Sequence, residues 1–471
     1  MFTTTTAAKA ASQSWDVVIA GSSFSAMFFL RGLPKGTRVL VIEKGAIISH
    51  SKLLEDLELP KETYAMDNRS GHGKAWIAHR MFGGNSNCWW GQVPRFHPND
   101  FRLAELYGVG EPWPIQYDDV EPFYVEVEEL MEVAGGGTDH ISPRSRPFPY
   151  PAHTVSRSDQ VCIDARPDIW VPAATARSNG GSRATCCTTG VCDLCPVDAK
   201  FTILNAVDSF LRDEVAMITA AEVREVMIEA GAATGIVVRD ATGKEFTIRA
   251  GLVALGTNAI SNAAILLRSG LTSPALGRYL HEQLSVQLSV DVSVPGYFGG
   301  TSITAHCYGF YDGPHRSESG AVLIESHNAP SALRTEPGRW TERMNLRLLA
   351  EDLPQAENRV QLDENGEVKI TWVGHSLYAK AGLERAERQL AEVLPFELER
   401  IAERRLPETE AHIQGTHRMG PDPDTSVVDK TLRTHEVAGL FALGSGAFPT
   451  SSAVNPTLTL SALALHAGRS V

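Results

Sequence analysis

Trp15 to Ala20 (WDVVIA) passes directly into Gly21-Ser22-Ser23-Phe24-Ser25-Ala26 and then into the apolar stretch MFFLRGL. A continuous apolar run of strand length, a glycine turn and an apolar helix make the first half of a dinucleotide-binding β-α-β unit. The second strand follows in RVLVIEKG and ends in Glu43, with Lys44 after it. That acidic side chain stands about twenty residues beyond the turn, where it would accept hydrogen bonds from a ribose of FAD or NAD. Of the three fingerprint glycines only Gly21 is present, because Ser23 and Ala26 fill the other two positions. Small residues there still let a pyrophosphate approach the N–H groups at the start of the helix, and Ser23 Oγ is placed to donate to it. An ordinary β-α junction is the alternative reading.

With 471 residues, 43% of them hydrophobic, the chain can build a large core in two or three domains. Basic residues number 43 against 56 acidic ones, a net charge of −13 without a basic run, which argues against nucleic acid or an anionic membrane surface as main partner. A small-molecule ligand is expected. The Thr/Ala arm at the start lacks the charged and apolar regions of a signal peptide, and no apolar run reaches membrane-spanning length. The expected location is therefore cytoplasmic, where clustered cysteines point to metal or redox work more than to disulfides.

The chain closes with AHIQGTHRMG and, further on, GLFALGSGAFPTSSAVNPTLTL. The apolar and then glycine-rich part reads as a buried strand, a tight turn and a helix starting near Pro456. His412 and Asn455 can then meet at the end of one strand. Such a pair suits alcohol oxidation: His412 takes the hydroxyl proton and Asn455 holds the oxygen, provided a hydride acceptor lies nearby. Taken singly, a loop histidine and a helix-capping asparagine are the alternatives. The whole pattern resembles the C-terminal signature of the glucose-methanol-choline (GMC) family of FAD-dependent oxidoreductases, and the resemblance puts His412 and Asn455 against the flavin ring.

Other stretches extend the resemblance over nearly the whole chain in family order. HRMFGGNSNCWWGQVPRF, from His79 to Phe96, resembles the family's flavin-attachment loop, with Gly83, Gly84, Asn87, Cys88 and Trp89 expected at the cofactor. Two glycines followed by small polar residues let that loop lie against a flat ring. Cys88 stands where some members carry a histidine bonded to the flavin, so histidyl linkage is excluded; a packed thiol is expected, with a cysteinyl link as the alternative. The segment containing WPIQYDDVEPFY, the strand, turn and helix of GLVALGTNAISNAAILLRSG at Gly256, and GRYLHEQ also match family segments. The resemblance further implies cofactor contacts from Val223, Pro456 and Thr457. Gly444 replaces an acidic residue found in many members, so Gly444 to Gly446, Ser445 included, are expected to hold FAD through backbone groups. His417 and His466 are expected to be structural.

Residues 186–195 read CCTTGVCDLC, four of the seven cysteines in the chain. The spacing lets Cys186, Cys192 and Cys195 converge in one loop, and Cys-Pro after the last is common in iron-sulfur loops. Zinc is the competing metal, although adjacent Cys186 and Cys187 fit one tetrahedral site poorly. The loop resembles that of bacterial glucose, fructose and gluconate dehydrogenases of this family, which implies a [3Fe-4S] cluster on Cys186, Cys192 and Cys195. Its last gap is one residue shorter than theirs, and a thiol-rich structural loop is the rival.

The expected fold is α/β, a discontinuous Rossmann-like FAD-binding domain with a second, sheet-based substrate domain. FAD-binding parts are placed at 12–98, 185–289 (with the cysteine loop) and 406–471; 99–184 is a substrate-domain insertion and 290–405 the substrate domain. Strands are expected at 291–298, 321–326, 344–363 and 368–372, crossed by one charged amphipathic helix over 383–406. KFTILNAV reads as the start of a strand or helix, the acidic helix after Trp113 as a solvated face, and 137–160 as a long loop, a lid over the substrate mouth. The expected function is FAD-dependent oxidation of a sugar, amino sugar or other alcohol at a CH–OH group. Hydride goes to flavin N5, and electrons leave to a protein, quinone or oxygen through a cluster or directly. An NAD(P)-dependent reductase and a non-catalytic flavin- or metal-binding protein are the alternatives.

Overall fold

The Ser14–Ala20 strand is the axis of the fold, since from Val17 onward it is buried and pairs in parallel on both sides. Its neighbours are Val39–Ile42, buried throughout, and Glu245–Leu255. Strands covered on both faces read as unbroken apolar runs, which is why they were visible in the sequence. The computed structural model describes residues 3–56, 59–190, 193–296, 299–328 and 333–471.

The sheet runs in the order Thr3–Thr4, Val215–Ile218, Val39–Ile42, Ser14–Ala20, Glu245–Leu255, Ala232–Arg239, Glu222–Glu229, and Leu440–Ala442 pairs in parallel with the end of Glu245–Leu255. Three separate stretches of chain therefore build one sheet. Glu222–Glu229 and Ala232–Arg239 form a hairpin whose two turn residues, Ala230 and Gly231, both have positive φ (50° and 78°), as a tight primed turn requires. The helices Phe24–Gly32 and Thr457–Arg469 pack against each other. Contact is close: a Cβ on Gly32 would lie 2.6 Å from the Leu465 carbonyl. The two ends of the chain are thereby fixed side by side.

A second sheet is antiparallel, in the order Leu398–Arg405, Leu284–Val292, Arg343–Ala350, Val322–His327, Ile303–Phe310, Trp170–Pro172. Val286, Leu288, Ile324, Leu346 and Leu348 form one apolar face, covered by Leu383 and Ala386 of the helix Leu377–Arg388. Alternation sends Glu325, His327 and Arg347 to the other face, toward the first sheet. Among the described residues no helix is long and apolar enough to cross a membrane.

Several expectations change. The helix expected over 383–406 covers only Leu377–Arg388 and a short turn at Leu390–Val393; Leu398–Arg405 is an edge strand. Alternating charges on an exposed edge strand imitate a charged helix face. The run 344–363 is two strands, Arg343–Ala350 and Arg359–Leu362. The strand expected at 291–298 lies at Leu284–Val292, with 297 and 298 outside the described residues. KFTILNAV forms no strand or α-helix. On the acidic helix Tyr117–Met131, Glu128 is buried, with Arg95 Nε 2.9 Å from its carboxylate and Arg144 on its other side. Arg144 belongs to the segment expected as a lid, and Tyr117 Oη also donates to the Pro143 carbonyl at 2.6 Å. That segment is pinned to the helix, and none of residues 137–160 reaches the wall of the main cavity.

Candidate active site

A cavity of about 870 Å³ opens at the carboxyl ends of the parallel strands, bounded by Ala20, Ile42, Gly256 and Leu443 below and by the second sheet above. Such strand ends are where α/β folds bind nucleotide cofactors. Gly21 has φ +93°, and a Cβ there would lie 2.6 Å from the Gly256 carbonyl. Only glycine fits that crossing of two turns. Ser23 caps the Phe24–Gly32 helix without a side-chain cap bond, so the first N–H groups of the helix are left for a ligand.

Glu43 lies on the same wall. Its carboxylate accepts from Ser22 Oγ at 2.6 Å and from the Gly45 N–H at 2.7 Å. Burial pushes it up to about 7, against the pull of those two bonds. Lys44, beside it, pairs with Glu62 at 2.9 Å and Glu222 at 3.2 Å. Ser22 Oγ also accepts from the Gly83 N–H at 2.9 Å, which fastens the second glycine loop to the first.

In that second loop Gly84, Cys88 and Trp89 face the cavity. The Cys88 sulfur lies 3.4 Å from His79 Nδ1, and burial pushes the thiol up to about 11. Such a shift favours the thiol over the thiolate at neutral pH. Trp89 donates to the Phe201 carbonyl at 2.7 Å and meets Phe24 edge-on at 4.8 Å.

At the other end of the cavity stand His412 and Asn455. His412 Nδ1 lies 3.1 Å from Gln283 Oε1. Gln283 Nε2 donates to the carbonyls of Ser452 (2.8 Å) and Val454 (2.9 Å), so its oxygen must face the histidine. His412 therefore carries its proton on Nδ1, and Nε2 has no hydrogen-bond partner among the described residues. Burial holds His412 down to about 4, although the charges of Glu282 and Glu325 work the other way. Below it, Glu282 Oε2 accepts from Thr409 Oγ1 (3.0 Å) and from the N–H groups of Glu410 (3.2 Å) and His412 (3.4 Å), and its other oxygen pairs with buried Lys74. Asn455 Oδ1 is buried without a partner. His412 and Asn455 both line the cavity.

Of the residues expected at the cofactor, Gly21, Ser23, Phe24, Ser25, Glu43, Lys44, Gly84, Cys88, Trp89, Val223, Gly256, Gly444, Ser445, Asn455, Pro456 and Thr457 line this one cavity. Ala26, Gly83 and Asn87 do not. Ala26 packs under Gly256, whose Cβ would come within 2.8 Å of it, and Asn87 Nδ2 is spent on the Phe82 carbonyl at 2.7 Å. Gly444 has φ +92°, and Ser445 Oγ donates to the Ile413 carbonyl at 2.7 Å, tying this turn to the backbone after His412. His417 is buried beneath Gly446 and His466 packs on Phe123; neither lines the cavity.

Cys186 is half-buried and Cys195 buried, the latter accepting from the Ala199 N–H at 3.2 Å; Cys192 lies outside the described residues. Among the described residues no group of three or more His, Cys, Asp or Glu side chains could hold a metal. The loop does touch the cavity, through Asp193 and Leu194.

Gln283 and Glu282 were missed as site residues, as were Trp90, Glu325, His327 and Arg347 on the opposite wall. In Leu323-Ile324-Glu325-Ser326-His327 alternation was the available signal, but it equally describes a solvent-facing strand.

The sequence family described as GMC oxidoreductase matches in two parts, its N-terminal model over residues 37–285 and its C-terminal model over 316–464. A 6'''-hydroxyparomomycin C oxidase of Streptomyces lividus is 28% identical, covering 98% of this chain and 92% of that protein. The fructose dehydrogenase large subunit of Gluconobacter japonicus is 25% identical, covering 97% and 98%, and the paromamine 6'-oxidase of Streptomyces fradiae 27%, covering 97% and 91%. Among solved structures, pyridoxine 4-oxidase from Mesorbium loti superposes with a TM-score of 0.70 at 18% identity, covering 97% of this chain and 99% of that one.

Proposed function

The chain belongs to the GMC oxidoreductase family, and from that premise we propose that it oxidises a CH–OH group of a sugar or sugar-derived alcohol with His412 as the base. The observation that carries this reading is the fixed tautomer of His412, with Nδ1–H spent on Gln283 and Nε2 open to the cavity. A neutral imidazole with an unused lone pair is ready to take a hydroxyl proton.

FAD fits the residues present. The uncapped helix start behind Ser23 would take the pyrophosphate, Glu43 the ribose, and Gly84, Cys88, Trp89 and the Gly444 turn the ring system. When bound, FAD supplies the hydride acceptor. The protein does the rest. His412 Nε2 takes the proton, while Asn455 offers an amide donor for the substrate oxygen. As the imidazolium forms, the carboxylates of Glu282 and Glu325 favour its charge.

Relatives named as oxidases of paromamine and 6'''-hydroxyparomomycin C and as a fructose dehydrogenase support a sugar-like substrate. A cluster, if bound, would be held by Cys186, Cys192 and Cys195 and would supply one-electron transfer to an acceptor; that Asp193 and Leu194 of the same loop line the cavity supports this reading. Anaerobic purification with absorption and EPR spectra tests both. A flavin spectrum bleached by sugars under nitrogen supports the oxidation; a flavin that no alcohol bleaches contradicts it. An iron-free protein that bleaches normally removes the cluster alone.

A further inference from the structure

The roof of the cavity holds a guanidinium that the protein uses only in part. Arg347 belongs to the strand Arg343–Ala350, directly across from Glu325, and lines the cavity together with Thr409, Glu410 and His412. Its Nη2 donates to Glu410 Oε1 at 2.5 Å, and Ser285 Oγ donates to the same oxygen. Its Nε is buried without a partner. Nη1 also has no hydrogen-bond partner among the described residues, but it is not a buried atom, and 17% of the side chain is exposed. The N–H donors of Nη1 are therefore left for whatever enters the cavity.

The anchor of this guanidinium ties it to the base. Glu410 stands two residues before His412, and the N–H groups of both reach the same oxygen of Glu282, at 3.2 Å and 3.4 Å. Arg347 is thus held at the segment that carries the imidazole, and its charge works with burial to hold His412 down. The wall does not suit an anion. Burial raises Glu410, but the charge of Arg347 opposes that rise, and Glu325 across the sheet is held down to about 2. Two acids then share one guanidinium, so a ligand carboxylate would meet repulsion there. A neutral oxygen is what Nη1 can take, in a hydrogen bond strengthened by the donor's charge.

We propose that Arg347 is a specificity-determining residue, donating from Nη1 to a hydroxyl oxygen on the carbon next to the one presented to His412. The inference rests on the alcohol-oxidation reading and narrows it to neutral vicinal diols, with isolated alcohols and hydroxy acids disfavoured. Guanidinium and imidazole are fastened to one short segment, so the two oxygens they meet belong to neighbouring positions of one molecule.

The test uses the FAD-loaded enzyme with trans-1,2-cyclohexanediol, cyclohexanol and trans-2-hydroxycyclohexanecarboxylate, which differ only in the group beside the alcohol. Affinity is read by calorimetry and oxidation by anaerobic flavin bleaching. The wild type should bind the diol about 10- to 100-fold more tightly than cyclohexanol, the range for a hydrogen bond from a charged donor. The carboxylate should bind no more tightly than cyclohexanol. In Arg347→Lys the ammonium is taken up by Glu410, so the preference for the diol should vanish while the charge, and with it the acid limb of kcat/KM, stays in place. In Arg347→Met the preference should vanish too, and the acid limb should move to higher pH, because no cation opposes Glu282 and Glu325 at His412. No measurable binding of the diol, equal affinities in the wild type, tighter binding of the carboxylate than of the diol, or a preference that survives in the variants would overturn the proposal. Should one variant fail to fold, the other and the wild-type comparison decide. A diol preference without bleaching by any alcohol, sugars included, would instead sink the oxidation reading.

Discussion

Gln283 Oε1 and His412 Nδ1 lie 3.1 Å apart, and the amide that supplies the oxygen is itself held by the carbonyls of Ser452 and Val454. One side chain thus joins the base to the backbone that leads into Asn455. This bond sets the tautomer of His412, and burial keeps the ring neutral.

Replacing that amide changes the base in a defined direction. In Gln283→Glu a carboxylate faces Nδ1 and favours the imidazolium, so His412 rises from about 4 and the acid limb of kcat/KM moves to higher pH. In Gln283→Leu no acceptor fixes the tautomer, and kcat falls by about 10-fold or more. Profiles of kcat/KM against pH, with flavin content as control, check both.

The glycine crossing is tested by Gly21→Ala. With φ at +93° and the Gly256 carbonyl 2.6 Å from the new Cβ, the turn must shift, at a cost of about 1–3 kcal/mol. FAD retention on gel filtration should fall sharply. Ala26→Gly, which only removes a methyl under Gly256, should keep its flavin.

Lys74→Met leaves Glu282 buried without its partner. Breaking a buried pair on one side costs about 3–5 kcal/mol, readable as a lower urea midpoint. Because Glu282 also holds the N–H groups of Glu410 and His412, kcat should fall with it.

Stability should fall on acidification. His281, His306, His412 and His417 are each held down to about 4 by burial. In the unfolded chain a histidine titrates near about 6.5, so between those values the unfolded state binds more protons and stability rises with pH. Their contribution is complete above about 6.5 and is lost as pH falls toward 4. Glu43, raised to about 7, works in the opposite direction as a single group. Thermal melts from pH 7.5 to pH 4.5 should show a net fall in Tm; a flat profile would contradict the buried neutral histidines.

Much of the cofactor half was legible in the chain, because parallel strands buried on both faces print themselves as apolar runs and their turns as glycines. Gly21, Gly256 and Gly444 were found that way. The substrate half was harder to read. Leu398–Arg405 looked helical because its charged residues, Glu399, Arg400, Glu403, Arg404 and Arg405, lie exposed on an edge strand, and Glu325 and His327 went unread because alternation says which residues share a side and not what covers it. Gln283 stood in GRYLHEQ, a stretch noted only for its family resemblance. Its role depends on Ser452 and Val454, about 170 residues away in the chain, and only the fold brings them together.

The central claim is that His412 is the base of a flavin-dependent alcohol oxidation, and anaerobic stopped-flow reduction of the FAD-loaded enzyme measures it directly. His412→Ala, with flavin content equal to wild type, should reduce its flavin about 10²- to 10⁴-fold more slowly. A variant that holds its flavin and reduces it at the wild-type rate would contradict the account.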